Sequence, residues 1–104
     1  MDSEFDDVVV THNAAEQRFE VQIDGEIALA EYRRADNTII FTHTKVPEAF
    51  QGHGIAGKLV QTALDEAQAQ NLTVVPLCPF VADYIKDHPD YMPLVHPQYR
   101  DSVR

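Results

Sequence analysis

Three features of the chain predict an α+β fold built on one mixed sheet. The first half alternates apolar and polar residues at the strand period, with turn residues between the runs. A helix-period stripe follows from Ile55 to about Ala69. A further β-branched run and a second short helix come next, so the last strand should return parallel to the strand before the helix. The expectation is an antiparallel meander of about four strands, then a helix, a parallel fifth strand and a second helix.

Each element has its own signal. Asp7 to Thr11 reads as a short first strand carrying Val8, Val9 and Val10, and His12-Asn13-Ala14-Ala15 as a turn. From Arg18 to Ile23, Phe19, Val21 and Ile23 alternate with Arg18, Glu20 and Gln22, the pattern of a half-buried strand. Asp24-Gly25 is a favoured hairpin turn, since both positions tolerate positive φ. Glu26 to Arg33 returns as a third strand with Ile27, Leu29 and Glu31 on one face. Ala35-Asp36-Asn37 turns again. Thr38 to Val46 is a β-branched fourth strand, and Pro47 ends it. The helix places Ile55, Leu59, Val60, Ala63, Leu64 and Ala67 on one stripe, with Asn71 as its stop. Leu72 to Leu77 is the fifth strand. Pro79 suits the first turn of a second helix running to about His88. The tail, with Pro93 and Pro97, reads as irregular, with 1–6 and 98–104 expected to be poorly ordered.

The 104 residues suffice for one domain with one core, 1–104, and 44% hydrophobic residues mark a folding sequence. No apolar run approaches the ~20 residues a membrane span needs, and the acidic start, Met1 to Asp7, is unlike a signal peptide. A single cysteine, Cys78, precludes an internal disulfide framework and fits a reducing compartment. A cytoplasmic protein is expected. The formal net charge of −9 disfavours nucleic acid as partner and favours a cationic substrate such as an amine. An anionic ligand needs local positive potential.

Gln51-Gly52-His53-Gly54-Ile55-Ala56 offers that potential. A glycine-bearing turn opening a helix leaves several N–H groups unpaired, and the helix dipole adds partial positive charge. Together they suit phosphate. Gly52 to Lys58 matches GxxxxGK, but Leu59 stands where a P-loop needs Ser or Thr, and Pro47 to Gln51 separate the strand from the glycines. Gly52, Gly54 and Gly57 also satisfy GxGxxG, but a β-meander precedes them where a dinucleotide fold has strand–helix–strand. A plain tight turn is the structural alternative.

Gln51-x-x-Gly54-x-Ala56 matches Q/R-x-x-G-x-G/A. With it come His43-Thr44-Lys45-Val46-Pro47-Glu48 before the loop, Leu59 and Ala63-Leu64 on the helix, Val75-Pro76-Leu77-Cys78-Pro79-Phe80-Val81, and His88-Pro89-Asp90-Tyr91. In that order, over Arg18 to His96, the series resembles the short, stand-alone members of the GNAT superfamily of N-acetyltransferases. The resemblance implies acetyl-coenzyme A as co-substrate and an amine acceptor. It implies that strands four and five splay, with Thr44, Lys45 and Val46 pairing with the pantetheine arm. The pyrophosphate would be held from Gln51 through Gly52, His53, Gly54, Ile55 and Ala56 to Gly57, with Lys58 adding charge or remaining a solvated helix lysine. Longer members carry helices between the first two strands. Asn13 to Gln17 leaves no room for them, so the acceptor side should be open, suiting an exposed lysine or N-terminus of a protein or peptide.

Three residues are candidates for the chemistry. Cys78, before the second helix, is a candidate nucleophile, a lining or proton-passing group, or a small buried hydrophobe. His43, read as sharing a face with Phe41 and Lys45, is a candidate base or a core histidine. Tyr84 is a candidate acid for the leaving thiolate or a packing residue. His88, His96 and Tyr91 flank prolines and read as turn formers. Cys78 and the histidines have no recognisable metal-ligand spacing, so no metal is expected. The runner-up function is a coenzyme A-binding module with little catalysis, acting as sensor or partner, as monomer or homodimer.

Overall fold

The computed structural model describes residues 8–104. Five strands form one sheet in chain order: β1 (Thr11–Asn13), β2 (Arg18–Ile23), β3 (Glu26–Ala35), β4 (Thr38–Lys45) and β5 (Thr73–Pro76). The first three pairings are antiparallel, and β4–β5 is parallel across helix α1 (Ile55–Ala69). Helix α2 (Pro79–Asp87) follows β5. This is the mixed sheet and α+β class that the sequence predicts.

Local chemistry sets most boundaries. Asp24 and Gly25 both take positive φ, 50° and 81°, and close the β2–β3 hairpin. Asn71, at φ 58°, ends α1 in a Schellman arrangement. There the Leu72 N–H donates to the Ala67 carbonyl at 2.9 Å and the Asn71 N–H to that of Gln68 at 3.1 Å. Pro79 occupies the first turn of α2, where no donor is needed.

One sheet face carries the core. Phe19, Val21, Ala28, Ala30, Tyr32, Ile39, Phe41 and Val74 are buried with the α1 stripe and with Val81, Ala82 and Ile85 of α2 in a single cluster. All six α1 residues read as the core stripe are buried. On β3, Ile27 and Leu29 do share a face, but it is not the core face. Register pairs Phe19 with Ala30 and Val21 with Ala28, so the alanines face inward. Their small side chains leave room for α1 above them.

The first strand lies later than Asp7 to Thr11. Asp7 falls outside the described residues, Val8–Val10 are not in a strand, and Val9 is 74% exposed. The strand begins at Thr11 because His12, opposite Phe19, stacks on that ring at 4.1 Å and its Nε2 lies 2.6 Å from the Tyr32 hydroxyl. The turn moves to residues 14–17, with Gln17 at φ 54°.

The fourth strand contains a bulge. Glu31 pairs with His43 and Tyr32 with Phe41, so Thr42 is an extra residue. Its hydroxyl donates to the Glu31 carbonyl at 3.4 Å. Strict alternation put His43 on the face of Phe41. The bulge instead turns His43 and Lys45 to the opposite face and brings Thr44 onto the Phe41 side.

The tail is also more ordered than its prolines imply. Pro89–Leu94 and Pro97–Val103 are 3-10 helices. Val95 bridges Val74 in parallel, the His96 N–H donates to the Val74 carbonyl at 2.9 Å, and Val103 is fully buried. Residues 98–104 therefore contribute to the core through Val103, which belongs to the same buried cluster as Val95 and the α2 residues. Residues 1–6 lie outside the described residues.

Tyr91 fastens this tail to α1. Its hydroxyl donates to Asp65 Oδ1 at 2.7 Å, and its ring lies 6.2 Å from that of Tyr84. Burial raises the Tyr91 pKa, and the hydrogen bond to Asp65 and that carboxylate's charge add to the effect. Tyr84 is raised by burial first and Asp65 second.

Two predictions follow from this packing. Val103→Ala should cost about 2 kcal/mol in urea unfolding, whereas a substitution in a loose terminus would be silent. The phenols bind their protons more tightly folded than unfolded, so the stability they supply is complete below about pH 10 and is lost above it. Melting temperature should fall on the alkaline side, and Tyr91→Phe should flatten that limb.

Candidate functional site

The β4–β5 ladder stops early. It runs from Thr38–Thr73 to Phe41–Pro76 and ends there. Pro76 has no N–H to offer. The Leu77 N–H turns back to the Val75 carbonyl at 3.1 Å, and that of Cys78 makes a last bond to the Phe41 carbonyl at 2.9 Å. The chain then enters α2. Strand β4 continues on its other side, pairing Thr44 with Ala30 and Lys45 with Leu29. Beyond Phe41 its edge toward β5 has no strand partner, and the sheet opens.

The chain after β4 crosses this opening. Glu48–Phe50 form a 3-10 turn with Phe50 buried. Gln51 Nε2 donates to the Val46 carbonyl at 3.1 Å and ties the loop to the end of β4. Gly52 and Gly54 take φ 86° and 76°, a region that a side chain disfavours. Gly54 is the N-cap of α1, with no side-chain cap and no acidic residue in the first turn. The first helical bond is from the Lys58 N–H to the Gly54 carbonyl at 3.1 Å. The N–H groups of Gly52, Gly54, Ile55, Ala56 and Gly57 have no acceptor within the described residues. Unpaired donors and the positive end of a four-turn helix thus coincide.

A cavity of about 380 Å³ lies between this loop and the opened sheet. Of the residues the sequence assigns to a cofactor, Thr44, Val46, Gln51, Gly52, Gly54, Ile55, Ala56 and Gly57 line it. Lys45, His53 and Lys58 do not, and Lys45 lies on the opposite face of β4. Phe50 and Phe80 complete the wall. Sequence reading passed over both. The available signal was an aromatic residue directly before Gln51 and another in the first turn of α2, which remains 40% exposed. No lining side chain is ionisable, so the positive potential of the wall comes from backbone amides and the helix end.

The three chemical candidates are dispersed around the cavity. Cys78 is buried, and its Sγ lies 3.3 Å from Thr44 Oγ1, so Thr44 touches both thiol and cavity. His43 is exposed on the other face of the sheet, opposite Glu31. Tyr84 sits at the seam between α1 and α2. Its Cε2 is 3.8 Å from where a Cβ on Gly57 would stand, and its ring stacks on His88 at 4.0 Å. Tyr84 lines a second groove of about 580 Å³, with Asp65, His88 and Tyr91. Among the described residues no group of three or more His, Cys, Asp or Glu could hold a metal ion. None of the helices is long and apolar enough to cross a membrane among the described residues.

Comparison with known proteins agrees with this geometry. A family model described as GCN5-related N-acetyl-transferase matches residues 18–94. Protein NATD1 of Xenopus tropicalis is 31% identical over 99 residues, covering 91% of this chain and 84% of the relative. Protein NATD1 of Homo sapiens is 30% identical over 98 residues, covering 91% and 81%. The solution structure of a GCN5-like protein from Staphylococcus aureus superposes with a TM-score of 0.63, covering 85% of this chain and 87% of that one at 24% identity. The span of the family match takes in β2 to β4, the opened β4–β5 pair, the glycine loop and α2, and the chain belongs to the GCN5-related N-acetyltransferase family.

Proposed function

We propose that this protein is an acetyl-coenzyme A-dependent N-acetyltransferase acting on a primary amine, with the exposed lysine or N-terminus of a protein or peptide as acceptor. The observation that carries the reading is the cavity where unpaired amides of the α1 start meet the unpaired edge of β4. Its volume lies within the range of small-molecule sites. One end suits a diphosphate and the other an amide-bearing chain ending in a thioester. Acetyl-coenzyme A supplies the activated acetyl group.

The chain's residues divide the work by face. Gly52 to Gly57 bind the phosphates through N–H groups, and Phe50 and Phe80 shield the arm from water. The end of β4 orients the arm along its open edge. The bulge at Thr42 turns His43 to the side away from Thr44, so an amine approaching from the open face meets an imidazole able to take its proton. Cys78 stands beside the opening as nucleophile or proton donor. Tyr84 holds its proton at neutral pH, since burial and Asp65 raise its pKa. Its place at the Gly57 seam favours a wall at the phosphate end over direct contact with the thioester.

One observation favours a second reading. The cavity wall has no ionisable side chain, as a coenzyme A-binding module with little catalysis would have. Release of free thiol from acetyl-coenzyme A in the presence of amines and lysine peptides separates the two. Turnover supports the transferase, and binding without turnover supports the module.

Ala56→Glu tests the shared premise. A carboxylate in the first helical turn is compatible with the helix dipole, so the melting temperature should hold or rise. The same charge beside the bound phosphates should weaken coenzyme A by about tenfold or more in calorimetry. Unchanged affinity would place the phosphates elsewhere. Gly54→Val is a poorer test, because a valine at that φ costs about 1–3 kcal/mol of folding by itself. For Cys78, a gain of one acetyl mass under single-turnover conditions that disappears in Cys78→Ser is the expected sign of the covalent route. No gain leaves it a lining or proton-donating role.

A further inference from the structure

Cys78 is the N-cap residue of α2, yet its side chain makes no cap bond to that helix. Its sulfur is turned toward β4, where Thr44 Oγ1 lies 3.3 Å away. Among the described residues no other side chain is hydrogen-bonded to the sulfur. Thr44 reaches it only because of the bulge: without the extra residue at Thr42, alternation would turn Thr44 to the opposite face and His43 inward. Thr44 also lines the cavity, whereas Cys78 is 4% exposed and is not part of its wall. The hydroxyl therefore stands between the thiol and the space where a thioester would end.

We infer that Thr44 is a positioning residue for Cys78: its hydroxyl fixes the direction of the thiol toward the cavity. This rests on the proposed transferase reading for its meaning, but not for its test. A hydroxyl can accept from S–H and, by rotating, donate to S⁻. The hydroxyl can therefore hold the sulfur's direction with or without its proton. The charged groups on the elements around the sulfur do not replace it. His43 and Lys45 of β4 face the other side of the sheet, and Asp83 of α2 is exposed. The free end of α2 acts on the sulfur in any Thr44 variant, so a Thr44 substitution isolates the hydroxyl.

Iodoacetamide alkylation of Cys78, the chain's single cysteine, followed by mass spectrometry, tests this without any turnover. Thr44→Val should slow alkylation at neutral pH by about tenfold, because the thiol loses the bond that aims it at the cavity. Thr44→Ser should restore the neutral rate, with melting temperatures confirming that all three proteins are folded. Coenzyme A should protect the native thiol. A neutral rate in Thr44→Val equal to or above the native one, or a failure of Thr44→Ser to recover, overturns the assignment. So does coenzyme A that binds by calorimetry yet gives no protection. If coenzyme A does not bind but the Thr44 effect persists, the transferase reading falls and the thiol–hydroxyl pairing stands.

Discussion

The structure depends on the parting of β4 and β5 after Phe41 and Pro76. Parallel neighbours joined by a helix ordinarily pair along their length, and here the pairing ends within four residues of each strand. Proline is the cause on one side: Pro76 removes a ladder donor, and Pro79 commits the chain to α2. On the other side the bulge at Thr42 re-aims everything beyond it. The result is an edge of unsatisfied backbone beside a helix start with unsatisfied amides. Exposed polar backbone on two converging elements is costly to leave dry, and a ligand bearing both phosphate and amide groups, as proposed, would satisfy it.

The acidic character of the chain is consistent with an anionic ligand once local and global fields are separated. The net charge of −9 acts over the whole surface and is screened within about 10 Å at moderate salt. The start of α1 acts at contact distance, and its first turn contains no acidic residue. A phosphate at the proposed site would therefore meet oriented N–H groups and a helix dipole before it met the protein's carboxylates. The same global charge would assist the cationic acceptor of the proposed reaction on the open face of the sheet. In the proposed reaction donor and acceptor would approach from two faces, and the bulge allocates Thr44 to one and His43 to the other.

Much of the fold was legible because its signals are local. The stripe from Ile55 to Ala67, the Asp24-Gly25 turn, the Asn71 stop and Pro79 each act within one element, and each element appears where they place it. The failures were all long-range. His12 joined a strand because a ring across the sheet and a buried tyrosine hydroxyl hold it. Val95 and Val103 looked like tail residues, but a core built by α2 and β5 needed their surface. Ile27, Leu29 and Glu31 do share a face as their alternation implies, but which face of β3 is the core was decided by the helix lying over Ala28 and Ala30, and the space it fills is invisible in the strand's own pattern.

The sequence by itself determined the order of elements, the family, and the loop whose glycines open α1, since these rest on periodicity, turn chemistry and a spaced motif. Only the tertiary structure decided which side chains meet. One extra residue at Thr42 exchanged the faces of His43 and Thr44, set the hydroxyl against the Cys78 sulfur, and left Tyr84 at the helix seam. A bulge is a property of two strands paired in a particular register, and register is settled by the whole sheet and the helices packed on it.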